Sequence, residues 1–122
     1  LCLTVGNSKD GHLRLRQCSR WTSMKFKMSS WGRIVSARFR GYCLVAETTA
    51  LSKGTPIVLR KSTTTQCKQT SWLLTSVGQL RYGASPFALS FDQDSLKAQL
   101  WPLEDRRKES KWDFIKIKRK ES

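Results

Sequence analysis

The sequence predicts an all-β fold of three similar lobes, and two observations carry this prediction. Apolar and basic residues alternate with a period of two, as they do in half-buried strands, for example at Leu13-Arg14-Leu15-Arg16. In addition, one four-residue pattern recurs at intervals of about 40 residues, a spacing typical of structural repeats. Its three copies are Cys2-Leu3-Thr4-Val5, Cys43-Leu44-Val45-Ala46 and Ala88-Leu89-Ser90-Phe91.

Each copy then reaches two further positions in the same order. The first is a leucine and the second a large aromatic residue: Leu15 and Phe26, Leu59 and Trp72, Leu100 and Trp112. Phe26 and Trp72 are each followed six positions later by a glycine, Gly32 or Gly78. Because the repeats must cover one another's apolar faces to make a core, this recurrence predicts that Trp72 and Trp112 are buried.

Each repeat supplies about four short strands, so three repeats close into a three-lobed barrel. The lobes are predicted at about residues 1–41, 42–84 and 85–122 of a single domain. The strand that precedes Cys43 and Ala88 has no counterpart before Leu1, which leaves eleven of twelve strands. The first strand of the first repeat is therefore expected upstream of Leu1, or its barrel position is left open or filled by other means.

Length and composition favour a folded domain. The chain of 122 residues is 39% hydrophobic, with five Trp and five Phe, which is enough to bury a core. It holds no run of about 20 apolar residues such as a membrane-spanning helix needs. The formal net charge is +14. Residues 1–41 hold nine basic and one acidic side chain, whereas residues 85–122 hold nine and seven, so the first lobe is the more positive.

The four cysteines favour disulfides over a metal site. Cys2, Cys18, Cys43 and Cys67 include no C-x-x-C pair and no histidine at a zinc-ligand spacing. Pairing Cys2 with Cys18 and Cys43 with Cys67 closes each loop inside one repeat, while the third repeat carries Ala88 at the cysteine position. Two bridges would place the protein in the secretory pathway, at the cell surface or outside the cell. Four reduced thiols in a cytosolic domain are the alternative.

No group of residues points to catalysis, a metal or a cofactor. His12 is the single histidine, and it lies beside Gly11 in a predicted turn with no Ser or Cys nucleophile placed near it. The carboxylates are scattered, apart from two close pairs that are typical of solvated loops: Asp92 with Asp94, and Glu104 with Asp105. We therefore expect a protein that is not an enzyme and that needs no cofactor.

The basic residues of the first lobe are candidates for a binding surface. Arg14, Arg16, Lys25 and Lys27 alternate with core-facing residues, so they would form one outer surface if their strands pair. Four later residues would extend it: Lys116, Lys118, Arg119 and Lys120. Such a surface steers polyanions from solution, and sulfated glycans, acidic lipids and nucleic acid are the candidate ligands. The excess charge could instead serve solubility or complement an acidic partner.

Three tryptophans lie off the repeated aromatic position, namely Trp21, Trp31 and Trp101. An exposed ring stacks well on the apolar face of a sugar, although a tryptophan outside the repeat pattern is more often a cover for its lobe. Trp101 is the strongest ligand candidate because it lies in the third lobe beside a basic cluster. That cluster consists of Arg106, Arg107 and Lys108.

In order and spacing these segments resemble a ricin-type (ricin B-type) β-trefoil, and within that group the cysteine-rich, R-type lectin domain of the mannose receptor family. The matching segments span nearly the whole chain: Cys2-Leu3 to Cys18, Lys25-Phe26-Lys27 to Gly32-Arg33-Ile34-Val35-Ser36, Cys43-Leu44, Ile57-Val58-Leu59, Ser71-Trp72 and Ser110-Lys111-Trp112. The resemblance implies a carbohydrate-binding, lectin-like trefoil in a secreted protein or in a receptor ectodomain. A membrane would then be reached only through a parent receptor.

The sequence departs from the family pattern at the sugar sites. An Asp usually follows the Cys-Leu pair in the galactose sites of the family, and here those positions hold Thr4, Val45 and Ser90. We therefore expect no ordinary galactose site. In the mannose-receptor domain a sulfated sugar packs on a Trp shortly before the last core Trp, where this chain has charge but no aromatic, at residues 106–110.

Together these observations predict a non-catalytic lectin-like module that recognises anionic, sulfated glycans. The predicted ligand-binding residues are Arg14, Arg16, Lys25, Lys27, Trp101, Arg106, Arg107 and Lys108. The alternative is a trefoil that has lost sugar binding and docks an acidic protein surface through its basic face. Recognition of acidic lipid or nucleic acid inside the cell is expected only if the cysteines are reduced.

Overall fold

A computed structural model describes residues 1–6, 11–20 and 22–112 of the chain. Its strands are short, and β2 and β3 show the predicted alternation, whereas β5 is apolar and buried along its whole length. They are β1 (Cys2–Thr4), β2 (Arg14–Arg16), β3 (Phe26–Met28), β4 (Ile34–Ser36), β5 (Tyr42–Ala46), β6 (Ile57–Lys61), β7 (Trp72–Leu74), β8 (Leu80–Tyr82), β9 (Phe87–Phe91) and β10 (Ala98–Pro102). The predicted all-β class is confirmed. The eleventh predicted strand, around Phe114 to Ile117, lies outside the described residues.

In the described ranges, helical structure is confined to short pieces between the strands. One α-helix, α1, spans Thr65–Gln69, and three 3-10 turns span Thr22–Met24, Leu103–Asp105 and Lys108–Ser110. Helix α1 begins at the N-cap Thr64, whose side-chain oxygen accepts a hydrogen bond from the Cys67 N–H. The sequence pattern did not predict α1, because a five-residue helix is too short to show a 3.6-residue period.

The strands form three antiparallel sheets. Their orders are β1-β2, β3-β4-β5-β6 and β10-β9-β8-β7. Backbone hydrogen bonds near the start of β2, β6 and β10 join the sheets. Leu13 donates to the Ile57 carbonyl over 3.2 Å, and Ala98 donates to the Leu13 carbonyl over 2.9 Å. These three residues hold the same position in the three repeats, and each is fully buried. The lobes therefore meet at equivalent points, as a β-trefoil requires.

The repeat register predicted from the glycines recurs in the hairpin turns that precede β4 and β8. Ser29 and Thr75 open these turns, and in each the side-chain hydroxyl accepts from the backbone N–H four residues later. Gly32 and Gly78 close them at the same φ of 83°. Trp72 then donates its backbone N–H to the Gly32 carbonyl over 2.7 Å, and Trp112 donates to the Gly78 carbonyl over 2.9 Å.

The indole groups of Trp72 and Trp112 make equivalent hydrogen bonds in their two repeats. The indole Nε1 of Trp72 donates to the Leu44 carbonyl over 3.0 Å, and that of Trp112 donates to the Leu89 carbonyl over 2.9 Å. Trp72 is 1% exposed, which confirms its predicted burial. The prediction that Trp112 is buried holds in part: Trp112, like Phe26, is half-buried and packs against the core from its periphery.

Both predicted disulfides are present. Cys2 is bonded to Cys18 and Cys43 to Cys67, and the described residues include no free cysteine. The two bridges differ in environment. Cys18 is exposed, whereas Cys43 and Cys67 are fully buried in a small apolar cluster outside the main core, which they share with Val45 and Val58. Helix α1 holds Cys67 against β5.

Gly32 and Gly41 provide a matched test of the turn geometry. Both have φ near +80°, at 83° and 81°, where a side chain is strained. A Cβ at Gly32 would also lie 2.6 Å from the Trp72 carbonyl oxygen, whereas one at Gly41 would meet nothing within 4 Å. We expect Gly41→Ala to lower the free energy of unfolding by about 1–2 kcal/mol, and Gly32→Ala by about 1–3 kcal/mol more, because its turn must move away from β7.

Urea denaturation of the two variants and the parent protein checks this prediction. Equal losses of unfolding free energy in the two variants would mean that the turn containing Gly32 is not in close contact with β7.

Candidate functional site

The main basic feature is a groove between the first and third lobes, which we call the basic groove. Its volume is about 630 Å³. Strand β2 forms one wall, and the loop before β10 forms the other. The lining residues are Leu1, Arg14, Leu15, Arg16, Gln17, Cys18, Ser19, Met24, Ser95 and Leu96. A 2.7 Å hydrogen bond from the Leu15 N–H to the Leu96 carbonyl joins the two walls.

The cations that line the basic groove are Arg14 and Arg16 of β2, and Lys97 lies next to Arg14 on the neighbouring lobe. Arg14 and Arg16 are exposed on either side of the buried Leu15, as the strand period requires. Lys97 pairs with Arg14 in an isolated antiparallel bridge between the lobes, and cross-strand partners place their side chains on one face. Among the described residues the ion pairs involve His12 with Glu47 and Arg107 with Glu109, so no carboxylate there neutralises Arg14 or Arg16.

The carboxylate of Asp92 lies beside the basic groove, where it accepts a hydrogen bond from a residue of the groove wall. The Ser95 backbone N–H donates to Asp92 Oδ2 over 2.9 Å. Hydrogen bonds from Ser95 hold the pKa of Asp92 below its usual range, with a smaller contribution from the charge of Arg107. Asp92 is therefore ionised at neutral pH, and its role is to hold the loop that carries Ser95 and Leu96.

The strands that carry Arg14, Arg16, Lys25 and Lys27 do not pair with each other, so the condition for one outer surface of these four cations is not met. Strand β3, which carries Lys27 and follows directly on Lys25, pairs with β4 and not with β2. Strand β2 pairs with β1 and meets Lys97. Alternation along a strand fixes which face a residue occupies, but it does not fix the neighbouring strand. The predicted extension through Lys116, Lys118, Arg119 and Lys120 lies outside the described residues.

A second cationic feature surrounds Trp101 on β10. The guanidinium carbon of Arg107 lies 4.1 Å from the centre of the Trp101 ring, and Lys53 Nζ lies 4.4 Å from it. The indole N–H donates to Asp105. Cation–π contacts of this kind hold the two charges at fixed positions. The half-buried ring therefore already contacts two cations. The sequence, by contrast, predicted an exposed ring that is free to stack on a sugar.

The three basic residues after Trp101 have different roles. Arg107 is largely buried: it donates to the Phe91 carbonyl over 2.8 Å and lies 3.4 Å from the buried carboxylate of Glu109. It therefore ties the loop to β9. Arg106 is exposed in a left-handed conformation with φ of 45°, and Lys108 is exposed at the start of a 3-10 turn. Only these two remain available to a ligand.

The outer face of the β9-β10 hairpin differs from its equivalents in the other lobes. Ser90 is opposite Gln99, and Ala88 is opposite Trp101, so these four residues share a face. The same face of the second lobe carries the buried disulfide with Val45 and Val58. Within the described part of the chain, the hydroxyl oxygens of Ser90 and Ser110 are buried without a hydrogen-bond partner. Buried hydroxyls of this kind are unusual in a folded protein.

The positions that carry Asp in the family's galactose sites are closed to solvent here. Val45 and Ser90 are fully buried, and Thr4 is 4% exposed. None of them offers a carboxylate to a sugar. Lys53 and Lys97 were missed as site residues. Lys97 directly precedes Ala98, which is equivalent to Leu13 and Ile57 in the other repeats. Because these equivalent residues join the lobes, the repeat alignment already indicated that Lys97 lies between lobes.

The described residues hold no group of three or more His, Cys, Asp or Glu side chains suited to a metal ion. Where the chain is described, it also contains no helix of the length and hydrophobicity that crossing a bilayer demands.

His12 Nε2 lies 2.6 Å from Glu47 Oε2, and this contact links the first and second lobes.

Comparison with known proteins supports the fold. No protein-family model matches the chain, and no curated protein matches it. Among solved structures it is similar to a non-toxic homologue of type II RIPs from Momordica charantia (bitter gourd), determined in complex with alpha-methyl-D-galactoside. The TM-score is 0.75 at 20% sequence identity, over 92% of this chain and 42% of the other. This chain thus spans less than half of its structural neighbour, and the likeness supports the ricin-type β-trefoil fold.

Proposed function

We propose that this protein is a non-catalytic, lectin-like module that binds anionic, sulfated carbohydrate in the basic groove. The observation that carries the proposal is the pair of exposed arginines, Arg14 and Arg16, which no described carboxylate neutralises. The fold supports it, because the structural neighbour was solved with a bound galactoside. The two disulfides support a secreted or cell-surface location, where sulfated glycans occur.

The chemistry of the groove suits a sulfate ester on a sugar ring. An arginine fork gives bidentate, charge-assisted hydrogen bonds to a tetrahedral oxyanion. Arg14 and Arg16 lie two residues apart on one strand, which separates their Cα atoms by about 7 Å. Leu1 and Leu96 contribute apolar surface to the lining of the groove. A sugar ring can rest on this surface while its sulfate contacts the guanidinium groups.

Binding to immobilised heparin and to chemically desulfated heparin tests the proposal. We expect the double variant Arg14→Ser, Arg16→Ser to bind heparin roughly 10- to 100-fold more weakly, because each hydrogen bond to a charged group contributes about 1.5–3 kcal/mol. The matched control is Arg38→Ser, Arg40→Ser, which removes the same charge from exposed residues of the same lobe. Binding by the parent protein should weaken steeply with salt.

Three outcomes count against the basic groove. Equal losses in the two double variants would show that heparin binding follows net charge alone. A larger loss in Arg106→Ser, Lys108→Ser would move the site to the third lobe. Equal binding of sulfated and desulfated heparin would exclude sulfate recognition and favour the alternative function, in which the same unpaired cations dock an acidic protein surface. The kinship with the mannose receptor domain stays a prediction.

A further inference from the structure

The exposed apolar side chains of the protein are concentrated on two neighbouring hairpins. Among the described residues five large hydrophobic side chains are exposed, and four of them lie on the β7-β8 hairpin or on the turn before β4. These four are Trp31, Leu73, Leu74 and Val77, which are 83%, 58%, 41% and 42% exposed. We call them the apolar tip. Clusters of exposed apolar side chains mark sites of interaction with a protein or a membrane.

The two turns occupy equivalent positions in their repeats. Trp31 directly precedes Gly32, and Val77 directly precedes Gly78. Each glycine carbonyl accepts a hydrogen bond from the backbone N–H of the next core tryptophan, over 2.7 and 2.9 Å. The Ser71 hydroxyl also donates to the Trp31 carbonyl over 3.1 Å, which fastens the first turn to the start of β7. Because the repeats are related by rotation about the barrel axis, both turns project from the same end of the barrel.

The apolar character of this turn position recurs along the sequence. The residue five positions after the core aromatic is apolar in all three repeats: Trp31, Val77 and Ile117. Ile117 lies outside the described residues. Turns usually carry Gly, Pro, Asn, Asp or Ser, and neither Trp31 nor Val77 belongs to a hydrophobic cluster of the core. Packing inside the domain therefore does not account for apolar residues at these turns.

The surroundings of the apolar tip are basic. Residues 22–46 and 48–91 include β3, β4, β7, β8 and both turns, and they contain no Asp or Glu. Lys27 is exposed on β3 shortly before the first turn, and Arg33 directly follows that turn. Arg81 is the cross-strand partner of Leu73 and shares its face of the hairpin. These hairpins thus combine exposed apolar side chains with cations and no carboxylate.

An anionic lipid bilayer matches this combination. Its headgroups attract Lys and Arg, and its interface accommodates the amphipathic ring of Trp. Its flat surface also receives several turns from one end of a barrel at once. A second copy of the chain is a poor match, because each copy carries a net charge of +14. None of the four residues of the apolar tip lines the basic groove, so the two surfaces are separate.

We propose that the apolar tip inserts into the interface of an anionic lipid bilayer. Trp31 and Val77 enter the headgroup region, and Lys27 and Arg33 contact lipid phosphates. The protein then lies on the bilayer surface through shallow insertion. The sequence led to the expectation that a membrane is reached only through a parent receptor, and the apolar tip adds a direct contact.

Co-sedimentation with vesicles of equal parts phosphatidylcholine and phosphatidylglycerol tests the proposal. We expect binding to be at least about tenfold tighter than to pure phosphatidylcholine, because each basic residue near an anionic surface contributes about fivefold. Trp31→Lys should weaken binding about 3- to 10-fold although it adds a positive charge, since an inserted ring is lost. The matched control is Thr63→Lys, which adds the same charge at an exposed residue between β6 and α1 and should not weaken binding.

Fluorescence with brominated phosphatidylglycerol reports the insertion itself. Brominated lipid should quench the parent protein when it binds, because the exposed Trp31 enters the bilayer. Trp31→Phe keeps an aromatic ring at the turn, so it should still bind the vesicles but lose most of this quenching.

Three outcomes overturn the proposal. The parent protein fails to co-sediment with anionic vesicles, or Trp31→Lys and Thr63→Lys bind them equally, which would mean that association follows net charge alone. The third is that brominated lipid quenches Trp31→Phe as strongly as the parent. Circular dichroism verifies that Trp31→Lys is folded. Heparin binding by Trp31→Lys should not weaken, so failure at the apolar tip and failure at the basic groove are distinguishable.

Discussion

Replacement of Trp72 by Ala is expected to lower the free energy of unfolding by about 3–5 kcal/mol, the range for truncating a large buried aromatic. Trp72 is 1% exposed and lies within the main core. Its indole N–H satisfies the Leu44 carbonyl, which the variant leaves without that donor. The loss of core volume and the loss of the hydrogen bond therefore act in the same direction. Urea denaturation followed by circular dichroism measures the change.

Leu73→Ala provides the control, since Leu73 is the next residue on β7 and is 58% exposed. Surface truncations of this kind change stability by about 0.5 kcal/mol or less. Trp72→Phe helps to separate the two causes, because it removes the hydrogen bond to Leu44, at about 1–3 kcal/mol, while keeping most of the core volume. If Trp72→Ala cost no more than Leu73→Ala, the assignment of Trp72 to the core would be wrong.

The two disulfides should contribute unequally to stability. Both close loops of similar length, with sequence separations of 16 and 24 residues. Loop-closure entropy alone gives each about 3 kcal/mol. Replacing Cys43 and Cys67 by Ala also removes two sulfur atoms from a fully buried cluster, which adds a cavity cost of about 1–2 kcal/mol. At the partly exposed Cys2–Cys18 bridge the surrounding groups are open to solvent, so this second cost is small.

Thermal and urea unfolding of the two double-alanine variants checks the difference. We expect the free energy of unfolding to fall by about 3 kcal/mol without the Cys2–Cys18 bridge and by about 4–5 kcal/mol without the Cys43–Cys67 bridge. Peptide mapping of the unreduced parent protein provides the control for the pairing itself. A greater loss on removing the exposed bridge would mean that native packing around Cys43 adds nothing beyond loop closure.

The repeat pattern was sufficient to predict much of this fold. The spacing of Trp72 to Gly78 predicted equivalent turns, and the structure places equivalent hydrogen bonds there. The pairing of Cys43 with Cys67 followed from the same reasoning, because a bridge inside one repeat needs only local chain closure. Period-two alternation correctly placed Arg14 and Arg16 on the solvent side of β2. These properties depend on residues close together in sequence or on repetition of one local unit.

The sites depend on contacts between lobes, which the sequence did not reveal. Lys97 joins Arg14, and Lys53 reaches Trp101, from segments far away in the chain. The sequence by itself determined the all-β class, the threefold repeat, the disulfide pairing and the excess of positive charge. Tertiary structure alone decided which charges share a groove, because closure of three lobes sets the distances between residues that no local pattern relates.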